Sequence, residues 1–394
     1  RDEAPEGTLS LSKLMAEARV DEGSGEYLRR FRPSPDDVIH LAPTGGTTGL
    51  PKLVPRTANA HLTKAHYFCQ AFGKGPEDVD LLFAPINHDA PQLATVGSMV
   101  LLGTKIVLSP STRINDILEA VERERATFTF LVPALLTDVL YAPDRDKYDI
   151  SSLKTVVSGG AHCPSELVKA VTEQLSFKFF NCYGQTEGAG VGTRADDPLD
   201  VIAYTVGKPF CPHDKYRVVD DDGNELPQGE IGELATLGPC IFSGYYKSDE
   251  ENKQVFTRDG FFRSGDMAKF DPQGHIIITG RKKDIINRGG EKVSAVEVEE
   301  MIIRHPKVMR AAVVGMPDAR LGERVCAYVQ PMPGESLSFE EIDSFLKAEG
   351  ASVMVLPERV EVLDTFPVTA MDKTDKESLR KDITGKLEAE GKGS

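Results

Sequence analysis

A short segment rich in glycine and threonine, "TGGTTGLPK" at residues 44–52, follows the apolar run "VIHLAP". Consecutive glycines let backbone N–H groups converge on an anion, and threonine hydroxyls add further donors. The P-loop of ATPases and GTPases needs a hydroxyl residue directly after its lysine. Here Pro51 precedes Lys52 and Leu53 follows it. The segment therefore predicts phosphate binding but disfavours a P-loop NTPase.

Four further segments carry groups suited to nucleotide chemistry. "NCYGQTEG" places a ring, a hydroxyl and a carboxylate within Tyr183–Glu187, suited to stacking a purine, bonding phosphate and holding Mg²⁺. "FRSGDMAKF" places Asp266 after a glycine, where it can accept hydrogen bonds from ribose hydroxyls. "GRKKDIINRGGEKVSA" combines basic residues, two glycines and a helix start. "FPVTAMDKTDKESLR" carries Lys373 on a polar loop before the last predicted helix.

The surrounding pattern predicts the elements that position these segments. Short β-branched runs alternate with helical stretches over residues 37–206, which indicates a largely parallel sheet covered on both faces. Residues 207–280 are predicted to be β-rich, and 281–394 to form a small α+β unit. Residues 1–36 are interpreted as a residual N-terminal segment.

Composition excludes several classes of protein. The 394 residues predict two or three domains, and the net charge of -15 without a basic tract disfavours nucleic acid or anionic membranes as partners. No apolar run approaches a membrane span, and no signal peptide is visible. The six cysteines lie far apart in sequence, which favours reduced thiols in the cytoplasm over a zinc knuckle.

In this order, the five segments resemble the adenylate-forming superfamily of acyl-CoA synthetases, peptide-synthetase adenylation domains and luciferases. "GLPKLVPRT", "FSGYYKS" and "VTAMDKTDK" look most like aryl-acid ligases, above all 2,3-dihydroxybenzoate–AMP ligases. The resemblance implies an α/β large domain of mixed sheets and helices with a β-rich subdomain, followed by a small mobile α+β C-terminal domain. It also implies a large region before the glycine segment, most of it absent here, whose absence would expose strand edges.

The implied reaction has two halves. A carboxylate attacks the α-phosphate of ATP, giving acyl-AMP and pyrophosphate. The thiol of CoA, or of a carrier protein's phosphopantetheine, then attacks the acyl carbonyl and AMP leaves. Because the acid is already ionised, the first half needs alignment and charge neutralisation rather than a general base.

The resemblance also implies residue roles. Lys373 bridges the carboxylate and the α-phosphate, Thr186 meets the α-phosphate and Glu187 holds Mg²⁺. The residues implied in ATP binding are Thr44, Gly45, Gly46, Thr47, Thr48, Gly49, Lys52, Gly160, Ala161, Tyr183, Asp266 and Arg281. The acyl pocket is implied to include His88, Asp89 and Gly159.

The acid is predicted from Asp89. Dihydroxybenzoate ligases carry an asparagine here that bonds the ortho hydroxyl, whereas an aspartate favours a hydroxyl, an amine or a cationic nitrogen. An ortho-hydroxy or ortho-amino aryl acid is therefore predicted, with an alicyclic or fatty acid as the alternative. A third interpretation is that His88 and Asp89 bond each other or the backbone and say nothing about the substrate.

The C-terminal domain is implied to rotate between the half reactions, with the hinge at Lys283 and with Gly289 and Gly290 lining a tunnel for the thiol. The alternative for both glycines is a simple turn. The predicted partners are a small carboxylic acid and CoA or a carrier protein in trans, in a monomer or homodimer. A non-catalytic nucleotide-binding scaffold is the competing class, and the joint presence of Lys373, Glu187 and Asp266 argues against it.

Overall fold

Four sheets lie along the described part of the chain, with two, seven, four and five strands in chain order. They are seen in a computed structural model, which describes residues 25–26, 29–30, 32–44, 51–83, 88–109, 111–369 and 372–391. Among these residues, no helix combines the length and the apolarity needed to cross a bilayer.

The first sheet is a hairpin of two antiparallel strands, β1 (Val38–Pro43) and β2 (Leu53–Thr57), on either side of the glycine segment. The sequence pattern grouped "VIHLAP" with the strands of the parallel sheet. That grouping was wrong because an apolar run of this length has the same pattern in either setting.

The second sheet has seven strands in the order β4-β3-β5-β6-β7-β8-β9, and the first five run parallel. The strands are β3 (Val79–Leu82), β4 (Lys105–Leu108), β5 (Phe128–Leu131), β6 (Thr155–Ser158), β7 (Lys178–Gly184), β8 (Gly190–Gly192) and β9 (Lys208–Pro209). The helices around them are α1 (Ala58–Ala71), α2 (Asp89–Pro91), α3 (Gly97–Leu102), α4 (Ile114–Glu124), α5 (Pro133–Leu140), α6 (Ser165–Gln174) and α7 (Leu199–Tyr204). A π-helical turn, Gln92–Val96, joins α2 to α3.

Apolar clusters cover both faces of this sheet. On one face Ile117 of α4 and Val168 of α6 pack with Leu81 of β3. On the other face Phe68 of α1 packs with Phe180 of β7. The alternating pattern of the sequence therefore predicted this layer correctly.

The third sheet is an antiparallel meander in chain order. Its strands are β10 (Lys215–Val219), β11 (Gly232–Leu237), β12 (Phe262–Phe270) and β13 (Ile276–Arg281), and α8 (Asp249–Val255) lies between β11 and β12. At the turn after β10, Gly223 has a φ of +87°, a conformation that glycine adopts without strain.

The fourth sheet forms the C-terminal α+β part. Its strands are β14 (Ile285–Arg288), β15 (Glu291–Ser294), β16 (Val308–Asp318), β17 (Gly322–Pro331) and β18 (Arg359–Val362), and its helices are α9 (Ala295–Ile302), α10 (Phe339–Ala348) and α11 (Lys376–Ala389). Helices α9 and α10 share one apolar cluster, and α11 packs in a second. The predicted fold class is confirmed.

Large apolar side chains are exposed on β1 and around β4, among other places. Val38 and Ile39 of β1 are 53% and 46% exposed, and Val100 of α3 and Leu108 of β4 are 62% and 63% exposed. Strand β4 is also the edge of the seven-stranded sheet.

Candidate active site

Hydrogen bonds hold the two ends of the glycine segment together. The Thr44 N–H donates to the Lys52 carbonyl oxygen at 2.8 Å, and the Lys52 N–H donates to the Thr44 hydroxyl at 3.3 Å. The Lys52 ammonium lies 3.1 Å from a Glu251 carboxylate oxygen and 4.9 Å from the centre of the Tyr245 ring. The predicted phosphate-binding residues between the two ends, Gly45, Gly46, Thr47, Thr48 and Gly49, lie outside the described residues.

The segment after β7 carries Thr186, which is buried, and Glu187, which is half-buried. The Tyr245 hydroxyl donates to Glu187 Oε1 at 2.7 Å. Gly188 has a φ of +128°, and a Cβ there would lie 2.1 Å from the Cys240 carbonyl oxygen. Only glycine therefore allows this segment to approach its neighbour so closely.

Asp266 on β12 is a buried carboxylate with three polar neighbours. The Tyr183 hydroxyl and the Gln185 side-chain amide donate to its Oδ2 at 2.8 and 2.6 Å, and Arg281 Nε lies 3.3 Å from its Oδ1. Burial raises the pKa of Asp266, against the opposing charge of Arg281. Gln185 was not predicted as a site residue, although it stands inside the quoted segment, because its partner lies far away in sequence.

Lys373 lies on the loop before α11 and is largely enclosed. A methyl group placed on Gly160 would lie 3.2 Å from Lys373 Cε and 3.4 Å from Lys373 Nζ. Burial, helped by the positive charge of Arg281, lowers the pKa of Lys373 from 10.5 to about 8. The negative charge of Asp266 acts in the opposite direction and raises the pKa of Lys373. The structure thus gathers Lys373, Arg281 and Asp266 from separate segments.

A mostly apolar cavity adjoins Lys373. Its described lining consists of Phe83, His88, Ala90, Pro91, Phe130, Val132, Leu135, Gly160, Asp372 and Lys373. Within the described chain, His88 Nδ1 is buried without a hydrogen-bond partner. Burial and then the charge of Lys373 lower the pKa of His88. Its ring is therefore a neutral polar group in an apolar wall near pH 7.

Asp89, predicted as a substrate contact, is paired with two cations of the protein itself. Asp89 is absent from the described lining of the cavity, and its carboxylate accepts hydrogen bonds from Arg56 at 3.2 Å and from Lys64 at 2.8 Å. Burial alone would raise the pKa of Asp89, but the two cations outweigh burial and lower it. Both carboxylate oxygens are thus engaged by the protein. Arg56 in β2 and Lys64 in α1 are cations whose shared partner the sequence pattern does not show.

Gly159 and Ala161 flank Gly160 but lie apart from the lining of the cavity. A Cβ on Gly159 would lie 2.5 Å from Cys182 Sγ and 2.7 Å from the Cys182 carbonyl oxygen. This glycine therefore permits close packing of β6 against β7. Ala161 instead lines a cleft between α5, α6 and the C-terminal part.

The three residues implied in the hinge and thiol tunnel are all exposed. Lys283 lies in a 3-10 turn, Lys282–Asp284, between the third and fourth sheets. Gly289 and Gly290 have φ values of +62° and +95° and join β14 to β15 as a hairpin turn. Two successive positive φ values are what a two-residue hairpin turn requires.

Polar contacts hold the C-terminal part against the seven-stranded part. Glu300 of α9 accepts hydrogen bonds from the Ser165 N–H at 3.0 Å and from the Ser165 hydroxyl at 2.6 Å, and His162 Nε2 lies 2.6 Å from its Oε1. Arg310 of β16 pairs with Asp138 of α5. These contacts join α9 and β16 of the C-terminal part to α5, to the start of α6 and to the loop before α6.

Cys211, Asp214 and Cys240 form a buried group whose possible ligand atoms lie within 4.8 Å of one another. Structural zinc sites use four ligands, and this group offers three. Burial also raises the pKa of the Cys240 thiol and of the Asp214 carboxyl, and so favours the protonated form of both groups. We therefore interpret the group as packed reduced thiols.

Residues 3–246 match the family of AMP-binding enzymes, and residues 297–373 match the AMP-binding enzyme C-terminal domain. The amide bond synthetase McbA from Marinactinospora thermotolerans has a similar structure, with a TM-score of 0.81 at 32% identity over 93% of this chain and 72% of that one.

Two curated relatives are similar over most of the chain. The 2,3-dihydroxybenzoate-AMP ligase of Bacillus subtilis (strain 168) is 39% identical over 353 residues, which cover 89% of this chain and 65% of the relative. The 2-hydroxy-7-methoxy-5-methyl-1-naphthoate–CoA ligase of Streptomyces carzinostaticus is 38% identical over 377 residues, which cover 95% of this chain and 68% of the relative. The chain thus spans about two thirds of their length.

Proposed function

Because the chain belongs to the AMP-binding enzymes, we propose that it activates an aromatic carboxylic acid with ATP and transfers the acyl group to a thiol. In the first half, a carboxylate oxygen bonds to the α-phosphorus while the bond to the oxygen leading to the β-phosphate breaks. Pyrophosphate leaves and acyl-AMP remains. In the second half, the sulfur of a thiolate bonds to the acyl carbon and AMP leaves.

The observation that carries this proposal is the placement of Lys373. Its ammonium lies between an apolar cavity and the Asp266–Arg281 pair on β12 and β13. A cation at this junction neutralises charge where the acid's carboxylate meets the α-phosphate. Such a fixed charge acts most strongly when it is shielded from water.

The nucleotide is proposed to lie along Asp266, Arg281 and Tyr183. Asp266 Oδ1 faces Arg281, which is 53% exposed in its side chain, so a ribose hydroxyl can reach this side of the carboxylate. Tyr183 and Gln185 hold the opposite oxygen and fix the carboxylate's orientation. The glycine segment, with Lys52 at its end, would enclose the terminal phosphates.

Glu187 fits the proposed Mg²⁺ site. Magnesium prefers one or two carboxylates together with phosphate oxygens and water. Glu187 is half-buried, and only its Oε1 has a partner among the described residues. The ion, when bound, would neutralise phosphate charge, and Thr186 would offer its hydroxyl beside it.

The cavity lining favours an acid whose aromatic ring carries no further charge. Two phenylalanines and the neutral His88 provide flat, weakly polar walls, and the charges in the described lining lie at the Lys373 end. The names of the two curated relatives, which specify dihydroxybenzoate and a naphthoate, point the same way. With Asp89 engaged elsewhere, an ortho substituent would find its polar partner in His88 Nδ1 rather than in a carboxylate.

The acceptor is proposed to be the thiol of CoA or of a carrier protein's phosphopantetheine arm. The naphthoate relative is named as a CoA ligase. Rotation about Lys283 would bring the hairpin turn of Gly289 and Gly290 towards the site, where the absence of side chains permits close approach of a thiol.

Pyrophosphate exchange tests the proposal on the protein as the cell produces it. The panel is benzoate, salicylate, 2,3-dihydroxybenzoate, anthranilate, cyclohexanecarboxylate and a fatty acid, and the products are identified. Acid-dependent exchange with aryl acids supports the proposal. Exchange with the aliphatic acids alone would overturn the aromatic assignment. ADP as product, or ATP binding without exchange, would overturn the adenylation chemistry in favour of an NTPase or a scaffold.

A further inference from the structure

Tyr245, in the segment between β11 and α8, touches two groups that the proposed function assigns to ATP. Its hydroxyl donates to Glu187 Oε1 at 2.7 Å. Its ring lies under the Lys52 ammonium, which is 4.9 Å from the ring centre. One side chain therefore contacts both the proposed Mg²⁺ ligand and the proposed phosphate-binding cation.

The side chain of Tyr245 is held rigidly. It is 8% exposed and packs edge to face on Phe242, with 4.9 Å between ring centres. Its N–H donates to Asn252 Oδ1 at 2.8 Å, and Asn252 Nδ2 donates to its carbonyl at 2.9 Å. Packing on one side and two backbone hydrogen bonds on the other leave the hydroxyl a defined position.

The backbone around Tyr245 is tied to the same two segments. The Phe242 N–H donates to the Glu187 carbonyl oxygen at 2.8 Å, and the Tyr246 N–H donates to the Leu53 carbonyl oxygen at 2.9 Å. Leu53 directly follows Lys52. Residues 242–246 thus fasten the end of the glycine segment to the loop that carries Glu187.

We propose that Tyr245 is a positioning residue for Mg²⁺ and ATP, which fixes the Glu187 carboxylate through its hydroxyl and the Lys52 ammonium through its ring. This inference rests on the proposed function. With Oε1 held, the other oxygen of Glu187, which no described residue engages, would be open to the ion. Partners that orient a ligating carboxylate commonly control metal affinity. The Lys52–Glu251 pair, 37% and 45% exposed, is weak enough for phosphate to replace it.

The test compares Tyr245→Phe with Tyr246→Phe, which removes the hydroxyl of an adjacent tyrosine that is 45% exposed. Mn²⁺ binding is followed by electron paramagnetic resonance with α,β-methylene-ATP, which cannot be split at the reacting bond. We expect Tyr245→Phe to weaken Mn²⁺ binding by about 10- to 100-fold and Tyr246→Phe to leave it unchanged. Affinity for the analogue without metal should change little in Tyr245→Phe and fall in Tyr245→Leu, which also loses the ring under Lys52.

If a folded Tyr245→Phe variant binds Mn²⁺ within about twofold of the affinity of the unmodified protein, Tyr245 has only a packing role and the inference is overturned. If Tyr245→Phe does not fold, Asn252→Ala releases the Tyr245 backbone and should weaken Mn²⁺ binding in the same direction. If the unmodified protein binds the analogue and catalyses exchange, and the variants bind Mn²⁺ as tightly as it does, this inference alone is overturned. An unmodified protein that binds neither the metal nor the analogue overturns the proposed function as well.

Discussion

Lys64 and Asp89 form an ion pair inside the protein, with 2.8 Å between Nζ and Oδ2 and with side chains that are 3% and 6% exposed. Arg56 completes the group from the other side of the carboxylate. Lys64 also donates to the Gln185 carbonyl oxygen at 3.2 Å. The wall of the cavity next to His88 is thereby fastened to the loop that leads to Glu187.

Asp89→Asn should destabilise the fold, because it leaves two cations without a counter-charge in a buried place. Removing one partner of such a group costs about 3–5 kcal/mol. The measurement is denaturant unfolding, with Asp222→Asn on an exposed turn as the matched control. Unchanged stability with altered choice of acid would instead support Asp89 as a substrate contact.

Lys373→Ala should reduce adenylation far more than nucleotide affinity, because the charge matters most as negative charge gathers at the α-phosphate. Loss of one preorganised charge or donor typically lowers the rate by about 100- to 1,000-fold. Exchange rates and ATP dissociation constants are compared with those of Lys381→Ala, an exposed lysine on α11. Equal losses of rate and affinity would contradict the assigned role.

The rate of adenylation should fall as pH rises through about 8, where Lys373 loses its proton in the free protein. The measurement is kcat/KM for exchange against pH. Lys373→Arg, whose charge persists to high pH, should remove this decline. Because the folded pKa of Lys373 lies below 10.5, the unfolded chain binds more protons between about pH 8 and 10.5. The contribution of Lys373 to stability therefore rises with pH in that window.

Lys283→Pro should block transfer to the thiol and spare adenylation, because proline restricts the turn about which the C-terminal part is proposed to rotate. We expect thioester formation to fall by about tenfold or more while exchange stays within about twofold. Lys283→Ala, which removes the charge but not the backbone freedom, is the control. Loss of both half reactions would argue against a hinge at this turn.

Whether a feature could be predicted from the sequence depends on how far apart along the chain the interacting residues lie. The strands and helices around Ile117 and Val298 were predictable because their apolar residues recur at short, regular spacing. Asp266 and Lys373 could be singled out as candidates because each stands in a segment with its own chemical composition. Tyr245 and Gln185 were missed because their partners, Glu187 and Asp266, lie 58 and 81 positions away. The orientation of Asp89 depended on Arg56 and Lys64, which local pattern does not connect to it.

The contact between Glu300 and Ser165 has a further consequence for the first turn of α6. This helix has no side-chain cap of its own, and Pro164 stands at its N-cap position. The carboxylate that satisfies its first N–H comes from α9 in the C-terminal part. A lost N-cap typically weakens a helix by about 0.5–2 kcal/mol. Fraying of α6, measured by amide exchange at its first residues, would therefore report whether the C-terminal part is docked, without any label or ligand.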